Sequence, residues 1–328
     1  MLILSRAEIR ELLDLDALID ELAVAMADLS AGRVSMPERI AALVPEHDGL
    51  LGAMPGYVPS REALVAKLVT LFPGNAATPV PTHQAVVVAF DPRTGSPTAL
   101  LDGSEITAAR TAASSALSVR LLARERASVL AILGTGVQAR SHARAVARVR
   151  PITEVRLAGR DPEKAKTLAT ELTAELCLPV DAVDSYGEAV ANADIVCATT
   201  HALEPVVDRQ SIAPGTHITS VGHNPAGREL DDATVIDSLV CVESRRAALA
   251  PPLAGSNDLV EPIGAGKIGP DHIHAELGEL VSGTKAGRTS EHQITLYKSA
   301  GVAVQDAAAA MLVLKAAREA GAGVDVAL

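Results

Sequence analysis

The stretch that most constrains this chain runs from residue 128 to residue 161. Ser128-Val-Leu-Ala-Ile-Leu133 is a continuous apolar run of strand length. Gly134-Thr-Gly136-Val-Gln-Ala139 follows it and opens a helical pattern that continues to about Val149. A second strand pattern, Glu154-Val-Arg-Leu-Ala158, comes next. In a strand–turn–helix context the first glycine makes the tight turn. The second lets main chain approach a pyrophosphate, and the third position needs only a small residue for helix–strand packing, which Ala139 supplies. Gly134 and Gly136 are therefore candidate cofactor residues, and the helix N-terminal amides beyond them receive phosphate.

The end of the second strand speaks to cofactor type. A ribose-binding acid is expected about 20 residues after the glycines. Here the tip reads Gly159-Arg160-Asp161. A guanidinium pairs a 2′-phosphate and stacks on adenine, so the reading favours NADP, while Asp161 keeps NAD open.

The remaining texture fits one architecture. Strand patterns at residues 179–183, 194–200, 217–222 and 239–242 alternate with helical ones, which predicts a doubly wound parallel sheet of Rossmann type. The first hundred residues differ. Met1–Leu4 reads as a short strand, and Ser5-Arg-Ala-Glu8 as a capping box. A helix follows from Asp16 to about Ser30, and then strand-like runs. Val65-Ala-Lys67-Leu-Val69 alternates, so Lys67 shares a face with two valines. Ala85–Phe90 and Thr98–Leu101 form a hairpin around Asp91-Pro-Arg-Thr-Gly95. The tail from Thr295 to about Ala320 reads as a long Ala-rich helix, with Val324–Leu328 as a last short strand. Residues 1–112 with 308–328 are predicted to form an α+β substrate and dimerisation domain, and 113–307 the dinucleotide domain.

Composition excludes several classes. With 328 residues, two domains are expected at about 100–200 residues each. Acidic residues number 40 against 29 basic, a formal charge of -11, which argues against a nucleic-acid binder. The apolar stretch Leu68–Phe90 contains Pro73, Pro79 and Pro81, which break a spanning helix. Met1–Leu4 is too short for a signal peptide, and the three dispersed cysteines suit a reducing compartment, so the expected location is the cytoplasm. His272-x-His274-x-Glu276 lies on a presumed helix start, where alternate positions do not converge on a metal. No nucleophile elbow, P-loop or HExxH motif occurs.

Six segments carry a wider likeness: Pro37-Glu-Arg39; Lys67-Leu-Val-Thr-Leu-Phe-Pro-Gly-Asn75; Gly103-x-x-Ile-Thr-x-x-Arg-Thr-Ala-Ala113; Gly134-Thr-Gly-Val-Gln-Ala139; Arg228-Glu-Leu-Asp231; and Tyr297-Lys-Ser-x-Gly-x-Ala-x-Gln-Asp306. With these the chain resembles the ornithine cyclodeaminase/mu-crystallin family over nearly its whole length. The resemblance implies a homodimer that binds a nicotinamide cofactor and a small amino or imino acid. By position it places Arg39, Lys67, Arg110 and Ala300 at the substrate. Thr82, Arg110, Thr111, Val137, Gln138, Thr200, Val221 and Ser299 fall near the cofactor. Two departures stand out. Family cyclodeaminases carry an acid where this chain has His223, and another where it has Gly52. Their loss points away from amine ejection and toward hydride transfer to an imine.

The chemistry follows from the substrate class. An α-carboxylate calls for guanidinium or ammonium partners, which Arg39, Arg110 and Lys67 can supply. A buried lysine exchanges protons near neutrality, and histidine titrates there unaided, so Lys67 and His223 are the candidate catalytic residues. Each has a plainer alternative: a snorkelling lysine, a loop arginine, a structural ion pair, a histidine bonded to a turn. The expected activity is an NADP(H)-dependent reductase of small α-imino acids, reversible as an amino-acid dehydrogenase. The rivals are an ornithine cyclodeaminase with catalytic NAD and a non-enzymatic binder of NADPH. Aromatic residues are only 2%, so the site is expected to be lined by small aliphatic and polar groups.

Overall fold

A computed structural model describes residues 1–251 and 254–327. In chain order the first elements are β1 (Leu2–Leu4), α1 (Arg6–Leu12), α2 (Leu15–Ser30), β2 (Ile40–Val44), β3 (Gly49–Val58), β4 (Ala63–Leu71), β5 (His83–Phe90), β6 (Pro97–Asp102) and α3 (Gly103–Leu122). Then come β7 (Val129–Leu133), α4 (Val137–Val149), β8 (Glu154–Ala158), α5 (Pro162–Leu176), β9 (Val180–Ala182), α6 (Tyr186–Val190), β10 (Ile195–Ala198), β11 (His217–Ser220) and α7 (Asp232–Ile236). The rest are β12 (Leu239–Val242), α8 (Arg245–Ala248), α9 (Asn257–Gly264), β13 (Ile273–Glu276), α10 (Leu277–Val281), β14 (Thr295–Lys298), α11 (Ala303–Ala320) and β15 (Val324–Asp325). Among these described residues no helix is long and apolar enough to cross a membrane.

The chain divides into two compact units. One comprises Met1–Arg110 and the segment from Val302 onward, and the other Thr111–Gly301. The cuts differ from those expected, which placed residues 111–112 in the first domain and 302–307 in the second. The whole of α11 belongs with the N-terminal unit because its first turn packs on β3. A Cβ added at Gly56 would sit 3.0 Å from that of Ala303.

In the first unit seven strands form a mixed sheet of order β15-β1-β6-β5-β4-β3-β2. The capping box is present: Glu8 Oε2 accepts from Ser5 N at 2.8 Å, and the Ser5 hydroxyl accepts from Glu8 N. Pairing is in strict register from β3 through β4 to β5, with Lys67 opposite Met54 on one side and Val87 on the other. Period-two alternation therefore puts Gly52, Met54, Lys67, Val69, Ala85, Val87 and His83 on one face. Helix α11 covers that side of β3 and β4, its inner surface built of alanines that permit close approach.

The second unit is an eight-stranded parallel sheet of order β13-β12-β14-β11-β10-β7-β8-β9. Both faces are covered by helices. Val119, Ala139, Ala143 and Leu172 pack on one side, and Val190, Val235 and Leu259 on the other. That arrangement explains the unbroken apolar strands. Strand order reverses at β7, so the crevice at the carboxyl ends of β7 and β10 is where a doubly wound sheet receives its ligand.

Two readings of secondary structure are corrected. Thr295–Lys298 is a strand in the middle of the sheet, between β11 and β12, and the helix begins only at Ala303. A β-branched Thr and a Tyr suit a buried strand, but four residues beside a long alanine run leave little periodicity to read. His272–Glu276 does not start a helix either, since Ile273–Glu276 is an edge strand. Alternate positions do share a face there, yet each side chain has its own partner. His272 meets Val235 O at 2.9 Å, His274 meets Ala286 O at 2.8 Å, and Glu276 accepts from Arg245 N at 2.7 Å.

Candidate active site

In the first unit three charged side chains meet under α11. Lys67 projects from β4 and is only 2% exposed. Arg110 projects from α3 at 5%, and Asp306 from the first turn of α11 at 0%. Lys67 Nζ lies 3.1 Å from each carboxylate oxygen of Asp306. Arg110 Nε donates to Asp306 Oδ1 at 3.2 Å, and Nη1 to Gln305 Oε1 at 2.7 Å. An acid in the first turn of a helix is favoured by the helix dipole. Two cations therefore share one carboxylate in a dry setting, and the charge of Arg39 also bears on Lys67. The cluster carries more positive charge than Asp306 balances, and a buried uncompensated charge is costly. Such a cluster favours an added anion.

Burial is the main reason that the Lys67 ammonium falls from 10.5 to about 8; Arg110 and Arg39 push it the same way, and Asp306 opposes them. Near neutrality Lys67 can thus both bind an anion and give up a proton. His83 lies on the same face at the start of β5. Burial first, then Lys67 and Arg110, push its imidazole down to about 4, so it is neutral at physiological pH. Asp306, Gln305 and His83 were not among the sequence candidates. Asp306 carried a signal, as the one acid heading an otherwise alanine-rich helix, the same signal that made Arg110 conspicuous. Gly52 also shares this face, paired with Val69, so the position where cyclodeaminases are expected to carry an acid holds none. Thr82 precedes β5, and its carbonyl accepts from Phe72 N at 2.9 Å. Thr111 follows Arg110 on α3 and is buried.

In the second unit the glycine turn has the geometry its sequence required. Gly134 adopts φ +119°, open to glycine, and a Cβ there would lie 2.8 Å from Thr199 Oγ1. Gly136 caps α4 with no side-chain hydrogen bond, and a Cβ on it would meet nothing within 4 Å. Val137, at the helix start, is 69% exposed, and Gln138 Oε1 is buried without a hydrogen-bond partner. Ala139 is buried in the core. Uncapped helix amides and open space over a glycine fit the phosphates of a nicotinamide dinucleotide. At the tip of β8, a Cβ on Gly159 would come within 2.5 Å of Thr135 Cγ2, so a side chain there requires that methyl to move. Asp161 is engaged as the cap of α5, accepting from Glu163 N at 3.1 Å and Lys164 N at 3.2 Å. Arg160 is left exposed, its charge felt by Tyr186.

The other second-unit candidates lie at the carboxyl ends of β10, β11 and β14. Thr200 follows β10, Val221 and His223 follow β11, and Ser299 and Ala300 follow β14. Ser299 Oγ donates to Glu243 Oε1 at 2.5 Å, while Ala300 N and Gly301 N donate to the same carboxylate at 3.1 Å.

Comparison with known proteins agrees with this fold. The ornithine cyclodeaminase/mu-crystallin family matches residues 1–321. The chain is 40% identical over 300 residues to the ketimine reductase mu-crystallin of Mus musculus, covering 90% of each protein. Among solved structures it is similar to the Thermococcus litoralis Δ1-pyrroline-2-carboxylate reductase in complex with NADH and L-proline. There the TM-score is 0.96, with 39% identity, 99% of this chain and 100% of that one. It is also similar to an archaeal alanine dehydrogenase dimer with bound NAD, at TM-score 0.92 and 28% identity, covering 100% and 99%. From the buried lysine–arginine–aspartate cluster to the glycine turn, this chain belongs to the ornithine cyclodeaminase/mu-crystallin family.

Proposed function

We propose that this protein is an NAD(P)H-dependent reductase of small α-imino acids, able to run in reverse as an amino-acid dehydrogenase. The observation that carries the reading is the buried pair Lys67 and Arg110 sharing the single carboxylate of Asp306. In this reading the substrate carboxylate is the missing counter-ion, held by Arg39, Lys67 and Arg110, with Ala300 lining the substrate. A nicotinamide dinucleotide, when bound, supplies the hydride to the imine carbon. Gly134, Gly136, Val137 and Gln138 take its phosphates, and Thr82, Arg110, Thr111, Thr200, Val221 and Ser299 line the rest. The imine nitrogen needs one proton to become an amine. Lys67 is suited to give it, since its value of about 8 leaves it protonated yet acidic near neutrality. His223 is the second group assigned to proton handling.

Arg160 is assigned to the 2′-phosphate, so NADPH is the preferred cofactor; the exposed Arg160 beside a glycine at the strand tip supports this. A homodimer is also proposed. On the face of the first sheet opposite Lys67, Ile40, Leu51, Leu68 and Val86 are exposed side by side, Ile40 at 70% and Leu68 at 38%. An apolar row of this kind on a sheet face marks an interaction surface. The three cysteines are free thiols, which fits the reducing cytoplasm as the proposed location.

The test is NADPH oxidation followed at 340 nm with a panel of five- and six-membered cyclic α-imino acids and of keto acids with amines. Turnover with one of them supports the reading. Ammonia and proline from ornithine with catalytic NAD, or NADPH binding without turnover on the whole panel, would overturn it.

A further inference from the structure

A second buried ionic network lies in the dinucleotide unit, at the tips of β10, β11 and β14. Lys298, the last residue of β14, is 1% exposed. Its Nζ pairs with Asp258 Oδ2 at 2.8 Å and donates to Ser220 Oγ at 2.9 Å and to Gly222 O at 2.8 Å. Asp258 Oδ1 accepts from Glu229 N at 2.9 Å and Leu230 N at 2.8 Å. The Glu229 carboxylate turns back to the strand tips. Its Oε1 accepts from Thr200 N at 2.6 Å and Thr200 Oγ1 at 2.7 Å; its Oε2 accepts from Ser220 Oγ at 2.7 Å and Gly222 N at 2.8 Å.

An ammonium and two carboxylates buried together are a poor way to gain stability, since apolar side chains of similar volume do as well or better. What such groups do provide is direction. Most of these bonds end on main chain: at Thr200, at both polar groups of Gly222, and at residues 229 and 230. The packing leaves no slack, for a Cβ on Gly222 would fall 2.3 Å from Glu229 Cδ and 2.4 Å from Thr200 O. Loop 223–228, which begins with His223, is thereby tied at both ends. Asn257 holds its middle through the carbonyls of Asn224, Pro225 and Gly227.

We propose that Lys298, Asp258 and Glu229 are positioning residues for hydride transfer. They hold Thr200 and the Gly222–His223 junction in one geometry, so that the nicotinamide end of the cofactor and the His223 imidazole keep fixed places. The proposal rests on the assignment of Thr200 and His223 given above. None of the three residues touches the reacting atoms, so their loss slows the reaction through the main chain they hold.

The test compares the wild type with Glu229→Gln, Lys298→Met and the milder Ser220→Ala, which removes only the hydroxyl shared by Glu229 and Lys298. Amide hydrogen exchange is read at residues 200 and 222, NADPH affinity from the cofactor's own fluorescence, and kcat and its pH profile with the best imine. Expected are exchange at those two amides faster by about tenfold or more, NADPH affinity within about threefold, and kcat lower by about 10- to 100-fold with the pH profile unmoved. If the two charged-group variants do not fold, Ser220→Ala carries the test with a smaller loss in the same direction. Unchanged exchange at residues 200 and 222 in a folded variant overturns the proposal. So does a fall in kcat that merely follows lost NADPH affinity or a shifted pH profile. Were the wild type to reduce no imine at all, the functional reading would fail while the exchange data still decided the role of the network.

Discussion

Replacing Lys67 by Met removes the ammonium while keeping an unbranched apolar side chain of similar length in β4. The fall of the Lys67 value from 10.5 to about 8 means that the fold penalises the charged form by about 3 kcal/mol, and the variant escapes that penalty. Asp306 loses one of its two cations and keeps only Arg110 at 3.2 Å. That penalty already includes the attraction of Asp306, so losing the Lys67 charge adds no separate pair-breaking cost, and the variant folds. Its effect on activity is much larger. Truncating one partner of a buried, hydrogen-bonded charge pair costs about 2–5 kcal/mol, which is about 30- to several-thousand-fold in kcat/KM. The assay is NADPH oxidation with the best cyclic imine, alongside thermal unfolding and NADPH affinity. A variant with kcat/KM within threefold of wild type would refute the assignment of the cluster to substrate. Lost NADPH affinity would refute its separation from cofactor binding.

Further outcomes follow from the same structure. Because the folded-state value of Lys67 lies below its unfolded one, the unfolded chain binds more protons between pH 8 and 10.5, so the Lys67 contribution to stability rises with pH across that window. Chemical denaturation at pH 8 and 10.5 should show that rise shrink in Lys67→Met. The KM for the imino acid should be flat below pH 8 and climb above it as the ammonium is lost, and a KM flat to pH 10 would contradict the role. Arg160→Ala should raise the KM for NADPH by about 10- to 100-fold, the value of a charge-assisted contact of about 1.5–3 kcal/mol, and leave that for NADH within about twofold. Leu68→Asp, in the apolar row on the outer sheet face, should convert a dimer to monomers in sedimentation; an unchanged mass would remove that face as the interface.

How much of this was legible in the sequence depends on how local the signal is. The turn at Gly134 and the strands around it could be read because an apolar run, two glycines and a small residue suffice within a dozen positions. Ser5 and Glu8 announced α1 in the same way. Lys67 could be placed on an inward face because alternation with Val65 and Val69 is a two-residue pattern. Strand β14 could not, since four residues beside an alanine helix carry too few periods. Nor could the partners of Lys67 and Arg110, because Asp306 is 239 and 196 residues away from them along the chain. Whether a lysine is a surface residue or a buried cation turns on such a distant contact. The tie from Lys298 through Asp258 to Glu229 joins three segments in the same way. That Asp161 caps α5 was not read from the sequence for a related reason: a cap and a ribose ligand look alike until the helix start is placed.

The most direct measurement counts products. The protein, a saturating cyclic α-imino acid and NADPH are mixed, and the amino acid formed is quantified against the NADPH consumed. The account predicts one cyclic amino acid per NADPH oxidised, with no ammonia released and with kcat/KM lowered by about 30-fold or more in Lys67→Met. Cyclic amino acid and ammonia appearing from a diamino acid, without net change in a catalytic amount of NAD, would contradict it.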